Sequence, residues 1–156
     1  MKPRINIQAA DPEAVKAMMA VSNYADKSGL EESLRHLVLM RVSQINGCAN
    51  CLHMHSEEAR AAGETEARLY LLDAWHESNL YSPRERAALG WTESLTRVAE
   101  THAPDEVFEE ARRHFSEDEL VKLTLLIGVI NIWNRICIGF RVVHSSDLAG
   151  VRDKAA

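Results

Sequence analysis

Gly47-Cys48-Ala49-Asn50-Cys51-Leu52-His53-Met54-His55 is the stretch from which the rest of the chain is read. A Cys-x-x-Cys pair is followed four residues later by a histidine, directly after Asn46-Gly47, which stops a helix. A helix restarting at Cys48 turns about 100° per residue, which puts Cys48, Cys51 and His55 within about 60° of one another on one face. By the same arithmetic His53, at about 140° from Cys48, points elsewhere. Both thiols then share the positive end of a helix dipole with an imidazole, where thiolate is favoured over thiol. Dithiol redox chemistry needs that arrangement.

Outward from this motif, helix signals dominate and no alternating strand pattern appears, so the expected fold is all-α. Asp11-Pro12 offers an N-cap and a first-turn proline for a helix to Lys27, stopped by Gly29. A second helix runs from near Glu31 to Asn46, with Leu34, Leu37, Val38 and Ile45 at helical apolar spacing. The motif helix runs from Cys48 to Ala62, and a fourth covers Glu66 to Ser78. Ser82-Pro83-Arg84-Glu85 is a capping box opening a helix to about Thr101. Pro104-Asp105 opens a short helix to about His114, and the capping box Ser116-Glu117-Asp118-Glu119 opens one to about Arg141. That last helix is apolar on nearly every face from Leu123 to Ile138, which points to a subunit interface. The tail from Ser145 is polar and expected to fray.

The chain has 156 residues, most simply one domain spanning 1–156 with its Cys-x-x-Cys core at about 30–80. Hydrophobic residues make up 46% and charged residues 26%, as in ordinary globular proteins. A net charge of -5 argues against nucleic acid or an anionic membrane surface as partner. No signal segment is apparent, and the apolar run Leu123 to Ile132 is too short to cross a bilayer, so the cytoplasm is the expected location. No nucleotide loop, haem motif or flavin signature appears, so no organic cofactor is expected.

Three cysteines do not make a secreted disulfide scaffold. The Cys48/Cys51 pair admits three readings. A closed zinc site needs four ligands, and the chain would have to recruit His36 or another remote histidine, so no metal is expected. A purely structural pair fits poorly, because a Gly-Cys helix start exposes the sulfurs. The redox reading has a mechanism: a thiolate attacks a peroxide or disulfide, and its partner resolves the product to an internal disulfide. His55, one turn past Cys51, can take a proton or stabilise a thiolate. His36 lies where a helix hairpin could return it to the thiols, its alternative being an ordinary packing histidine. Cys137 reads as a small buried hydrophobe. Trp75, Trp91 and Trp133 read as core or interface anchors, and His76, His102, His114 and His144 as exposed residues at helix ends.

The run from Leu37 to His55 closely resembles the core motif of the AhpD-like branch of the carboxymuconolactone decarboxylase superfamily. The likeness continues through Ala59-Arg60-Ala61-Ala62-Gly63, Asp73-Ala74-Trp75, Ser82 to Leu89 and Ile130 to Arg135. The resemblance implies an all-helical bundle, homo-oligomers (dimer, trimer or hexamer) and thiol-dependent reduction of hydrogen peroxide or organic hydroperoxides, with a dithiol reductant. It also implies that Cys51 attacks the peroxide, Cys48 resolves it and His55 assists. Helix-start reasoning favours Cys48 as the more acidic thiol, so the two lines differ on which sulfur attacks. The family places a glutamate where this chain has His36, and its founding members a histidine where it has Asn50. Two other functions remain: a redox-sensing or disulfide-exchange module without turnover, and a lactone decarboxylase, against which the cysteine pair counts.

Overall fold

The computed structural model describes residues 2–142, and no strand occurs among them. The polar tail and His144 lie outside the described residues. Among the described residues nine α-helices and one 3-10 segment follow one another as α1 (Ile7–Ala10), α2 (Pro12–Asp26), α3 (Glu32–Asn46), α4 (Ala49–Ala61) and α5 (Glu66–Leu71), then the 3-10 segment (Leu72–Glu77). After it come α6 (Pro83–Thr96), α7 (Val98–Thr101), α8 (Asp105–Arg112) and α9 (Glu117–Phe140). The helices form a single all-α domain. α3 lies at its centre, packed on α4, α6 and α9, while α2 covers another side of α9.

The caps follow the sequence closely. Asp11 accepts the Ala14 N–H at 3.0 Å, and the capping boxes at Ser82 and Ser116 are both closed. Two expected helices break. The expected Glu66–Ser78 helix passes from α5 into the 3-10 segment, with Ala74 out of helical geometry at φ -110°. Arg86 is the physical reason: its guanidinium takes the carbonyls of Trp75 and Ser78 at 2.7 and 2.9 Å, and that of His76 at 3.0 Å. The helix from Ser82 ends at Thr96, because the Thr101 hydroxyl donates to the Ser94 carbonyl at 2.7 Å and competes with the helical ladder.

α9 buries one side and leaves the other open. Leu120, Leu123, Leu126, Ile127, Val129, Ile130 and Cys137 are buried against the neighbouring helices, which accounts for the apolar residues on that side. Val121, Ile132 and Ile138 remain exposed. The expectation that this segment is too short for a bilayer does not hold by length: the helix has 24 residues, and its most apolar 18-residue window has mean hydropathy 1.6. By length and composition alone it could span, although the core just described explains the same composition. The start of the chain closes over its far end: the Arg4 N–H donates to the Phe140 carbonyl at 2.8 Å, and the Arg4 guanidinium to the Gly139 carbonyl at 2.9 Å.

Behind the motif, side-chain amides tie α3 to α9. Asn46 donates to Asn131 Oδ1 at 3.0 Å and to Asn134 Oδ1 at 2.9 Å, while Asn134 donates to the Ser43 hydroxyl at 3.2 Å. Asn134 is fully buried. Gly47 then turns the chain in left-handed geometry, φ 68°, and the Cys48 N–H closes the cap on the Ser43 carbonyl at 3.0 Å. The start of α4 is thereby held against α9.

Candidate active site

Cys48 is the N-cap of α4, one residue earlier than a helix beginning at Cys48 would require; its Sγ accepts the Cys51 N–H at 3.4 Å. Both thiols are free and each is only 1% exposed. The expectation of sulfurs laid open by a Gly-Cys helix start is therefore corrected: α9 lies across that helix end and buries it.

The second correction concerns Cys137. It is buried as expected, but it is no isolated hydrophobe. Its Sγ lies with those of Cys48 and Cys51, all three within 4.8 Å of one another, and Asn50 donates to it at 3.6 Å. Three sulfurs could hold a thiophilic ion. Among the described residues no imidazole or carboxylate joins the same cluster, so the closed four-ligand set of a zinc site is not assembled.

The trio divides its protons unequally. Hydrogen bonds from the Cys137 and Cys51 thiols pull Cys48 down to about 3 against the cost of burial, helped by the Cys51 N–H and by His55. Cys51 is pushed up by its place as donor to its two neighbours and by burial. Cys137 is raised to about 11, chiefly by its hydrogen bond to Cys48. One negative charge is thus held by three sulfurs and rests on Cys48.

A cavity of about 850 Å³ opens over the site. Cys51 and Cys137 line it, together with His36, His55, Glu58 and Trp133, whereas Cys48 does not. The helix-start argument and the family pattern therefore pick out different properties: charge lies on Cys48 and access on Cys51. A shallower depression of about 370 Å³ lies beside α4, lined by His53, Arg60 and Tyr70 with none of the thiols, in keeping with His53 facing elsewhere. Of the tryptophans, Trp75 and Trp91 are buried anchors. Trp133 is only partly so; it walls the cavity, with its indole N–H on the Ser22 hydroxyl at 2.8 Å.

His55 is buried, and its Nδ1 is 2.7 Å from Glu58 Oε2, while its Nε2 has no protein partner. An imidazole oriented by a carboxylate, with its second nitrogen free beside a cavity, is equipped for proton transfer. Sequence reasoning missed Glu58, although its position three residues after His55 on one helix is the signal that finds it. The hairpin of α3 and α4 does return His36 to the cavity. His36 is buried, with Nδ1 unpartnered and Nε2 3.9 Å from Glu32. Burial, then the Arg35 charge, holds it below the ordinary histidine value, so it stands as a neutral base.

Known proteins sharpen the picture. The model of the carboxymuconolactone decarboxylase family matches residues 12–94. YdfG of Bacillus subtilis is 44% identical over 138 residues, 88% of this chain and 94% of that protein. YnjA of Escherichia coli is 32% identical over 107 residues, covering 68% of this chain and 58% of YnjA. Among solved structures, ATU0492 of Agrobacterium tumefaciens, a protein of unknown function proposed as the antioxidant defence protein AhpD, superposes with a TM-score of 0.90 at 52% identity. That match covers 92% of this chain and 98% of ATU0492. Matching sequence, matching helices and the thiol motif at the turn from α3 to α4 lead to one assignment: the chain belongs to the carboxymuconolactone decarboxylase family, in its AhpD-like branch.

Proposed function

We propose that the protein is a thiol peroxidase that reduces hydrogen peroxide or organic hydroperoxides through a Cys48/Cys51 dithiol–disulfide cycle. The observation that carries this reading is the division of labour between the sulfurs: Cys51 faces the cavity, and the charged Cys48 lies directly behind it. The Cys48 thiolate takes the Cys51 proton as the Cys51 sulfur attacks the peroxide. The O–O bond breaks, Cys51 becomes a sulfenic acid, and the leaving alkoxide takes the Nε2 proton of His55 as imidazolium, which keeps its Nδ1–H on Glu58 and regains the Nε2 proton when reduction returns Cys48 to the thiolate. Cys48 then attacks the sulfenic sulfur, the hydroxyl leaves as water with the Cys48 proton, and the disulfide closes. A dithiol reductant restores both thiols. The apolar share of the wall, Trp133, Leu126 and Ile130 among it, suits an organic hydroperoxide as well as hydrogen peroxide.

In the same reading the protein works in the reducing cytoplasm as a homo-oligomer, covering exposed apolar side chains such as Val121 and Ile132. Peroxide consumption with a dithiol supply tests the enzyme directly. Sustained turnover in the parent, lost in Cys51→Ser, is the expected result. A Cys51→Ser variant that consumes peroxide as fast as the parent ends the assignment, and a single stoichiometric oxidation without turnover would make the chain a redox switch instead.

A further inference from the structure

The cycle just described uses two of three clustered sulfurs. Cys137 comes from a different helix, yet its Sγ is within 4.8 Å of both others. It also shares the cavity wall with Cys51, which Cys48 does not. An oxygen delivered to Cys51 from the cavity therefore arrives on the side where Cys137 stands. Asn50, at the head of α4, donates to the Cys137 sulfur and holds it toward the pair. A cysteine serving only as packing would need none of these relations.

We propose that Cys137 is a second resolving thiol, which condenses with oxidised Cys51 from the cavity side in competition with Cys48. The proposal rests on the reading that Cys51 is the sulfur oxidised by peroxide. In the step, the Cys137 sulfur attacks the sulfenic sulfur of Cys51 and the S–O bond breaks. Hydroxide leaves and takes the Cys137 proton as water, and a Cys51–Cys137 disulfide forms. The two electrons are those the peroxide has already removed from Cys51, so no further oxidant is needed, and a dithiol reductant reopens the bond.

In the resting protein the Cys48 charge keeps Cys137 protonated. Once Cys48 has accepted the Cys51 proton, or is absent, that restraint on Cys137 is lifted. A second resolver then keeps Cys51 from advancing to the irreversible sulfinic acid when peroxide is in excess.

The experiment treats reduced Cys48→Ala with one equivalent of hydrogen peroxide, blocks free thiols and maps the peptides without reduction. The expected products are a Cys51–Cys137 cross-linked peptide and the loss of both free thiols. The double variant Cys48→Ala/Cys137→Ser keeps a small polar side chain at 137 but cannot cross-link. It should accumulate Cys51 sulfenic acid, read as a dimedone adduct about tenfold or more above that of Cys48→Ala, and sulfinic acid under excess peroxide. Equal dimedone labelling in the single and double variants, with no Cys51–Cys137 peptide, overturns the proposal while leaving Cys51 as the oxidised residue. The peroxidase reading is tested in the parent, where Cys48 is in place as base: if one equivalent of hydrogen peroxide leaves parent Cys51 unoxidised, that reading falls, and this proposal with it.

Discussion

Glu58 and His55 form a carboxylate–imidazole pair at 2.7 Å on one face of α4, with the free imidazole nitrogen beside the thiol cavity. The family pattern puts a glutamate at the place of His36, and here a fixed negative charge reaches the site from Glu58 instead. Glu58→Gln retains an acceptor but loses the charge that orients and supports the imidazole. Peroxide reduction by this variant should fall on the order of tenfold in kcat/KM, a fraction of what general acid–base groups contribute. Steady-state kinetics across pH would show it, and an unchanged profile would remove Glu58 from the proton path.

The Cys48 charge gives a spectroscopic test. With its value near 3, the reduced protein should keep the ultraviolet absorbance of one thiolate throughout mild acid and lose it only as the pH approaches about 3. Cys48→Ser should have no low-pH thiolate, its remaining thiols ionising only in alkaline solution. A parent titration with its first midpoint close to the ordinary thiol value of about 8.5 would contradict the shared-charge arrangement.

His36 makes stability depend on pH. Its native value is depressed by burial, so between that value and about 6.5 the unfolded chain binds a proton that the native state does not. Stability is therefore fully present above about pH 6.5 and is lost as the pH falls toward the native value. His36→Gln should flatten that part of the curve, as measured by urea unfolding at several pH values. A variant with the same slope as the parent would show that His36 titrates freely.

Two substitutions probe the support behind the site. Asn134→Ala leaves Asn46 and Ser43 short of buried partners and should cost about 1–3 kcal/mol in denaturant unfolding. Gly47→Ala meets no neighbouring atom within 4 Å, so its cost comes from the left-handed backbone alone, about 1–2 kcal/mol. A neutral Asn134→Ala would mean that water replaces the lost amide at no penalty.

Much of the bundle was legible locally. Asp11-Pro12, Ser82-Pro83 and Ser116 open α2, α6 and α9, because caps act within one turn of the chain. The breaks at Ala74 and Arg97 were not legible, since the first depends on Arg86 reaching back from another helix and the second on a hydroxyl competing with the ladder. At the site, Cys48, Cys51 and His55 follow from helical spacing, and Glu58 follows from it too once sought. Cys137 does not. It joins the other sulfurs only through the packing of α9 on α4, and that same packing buries the thiols that a local reading left exposed.

The Arg4 clasp ties the first residues of the chain to the last turn of the helix that presents Cys137. Among the described residues, Arg4 is the donor to those two carbonyls at the end of α9. Removing the residues up to and including Arg4 would therefore loosen a helix at the opposite end of the sequence, and would be felt at a sulfur atom far from the cut.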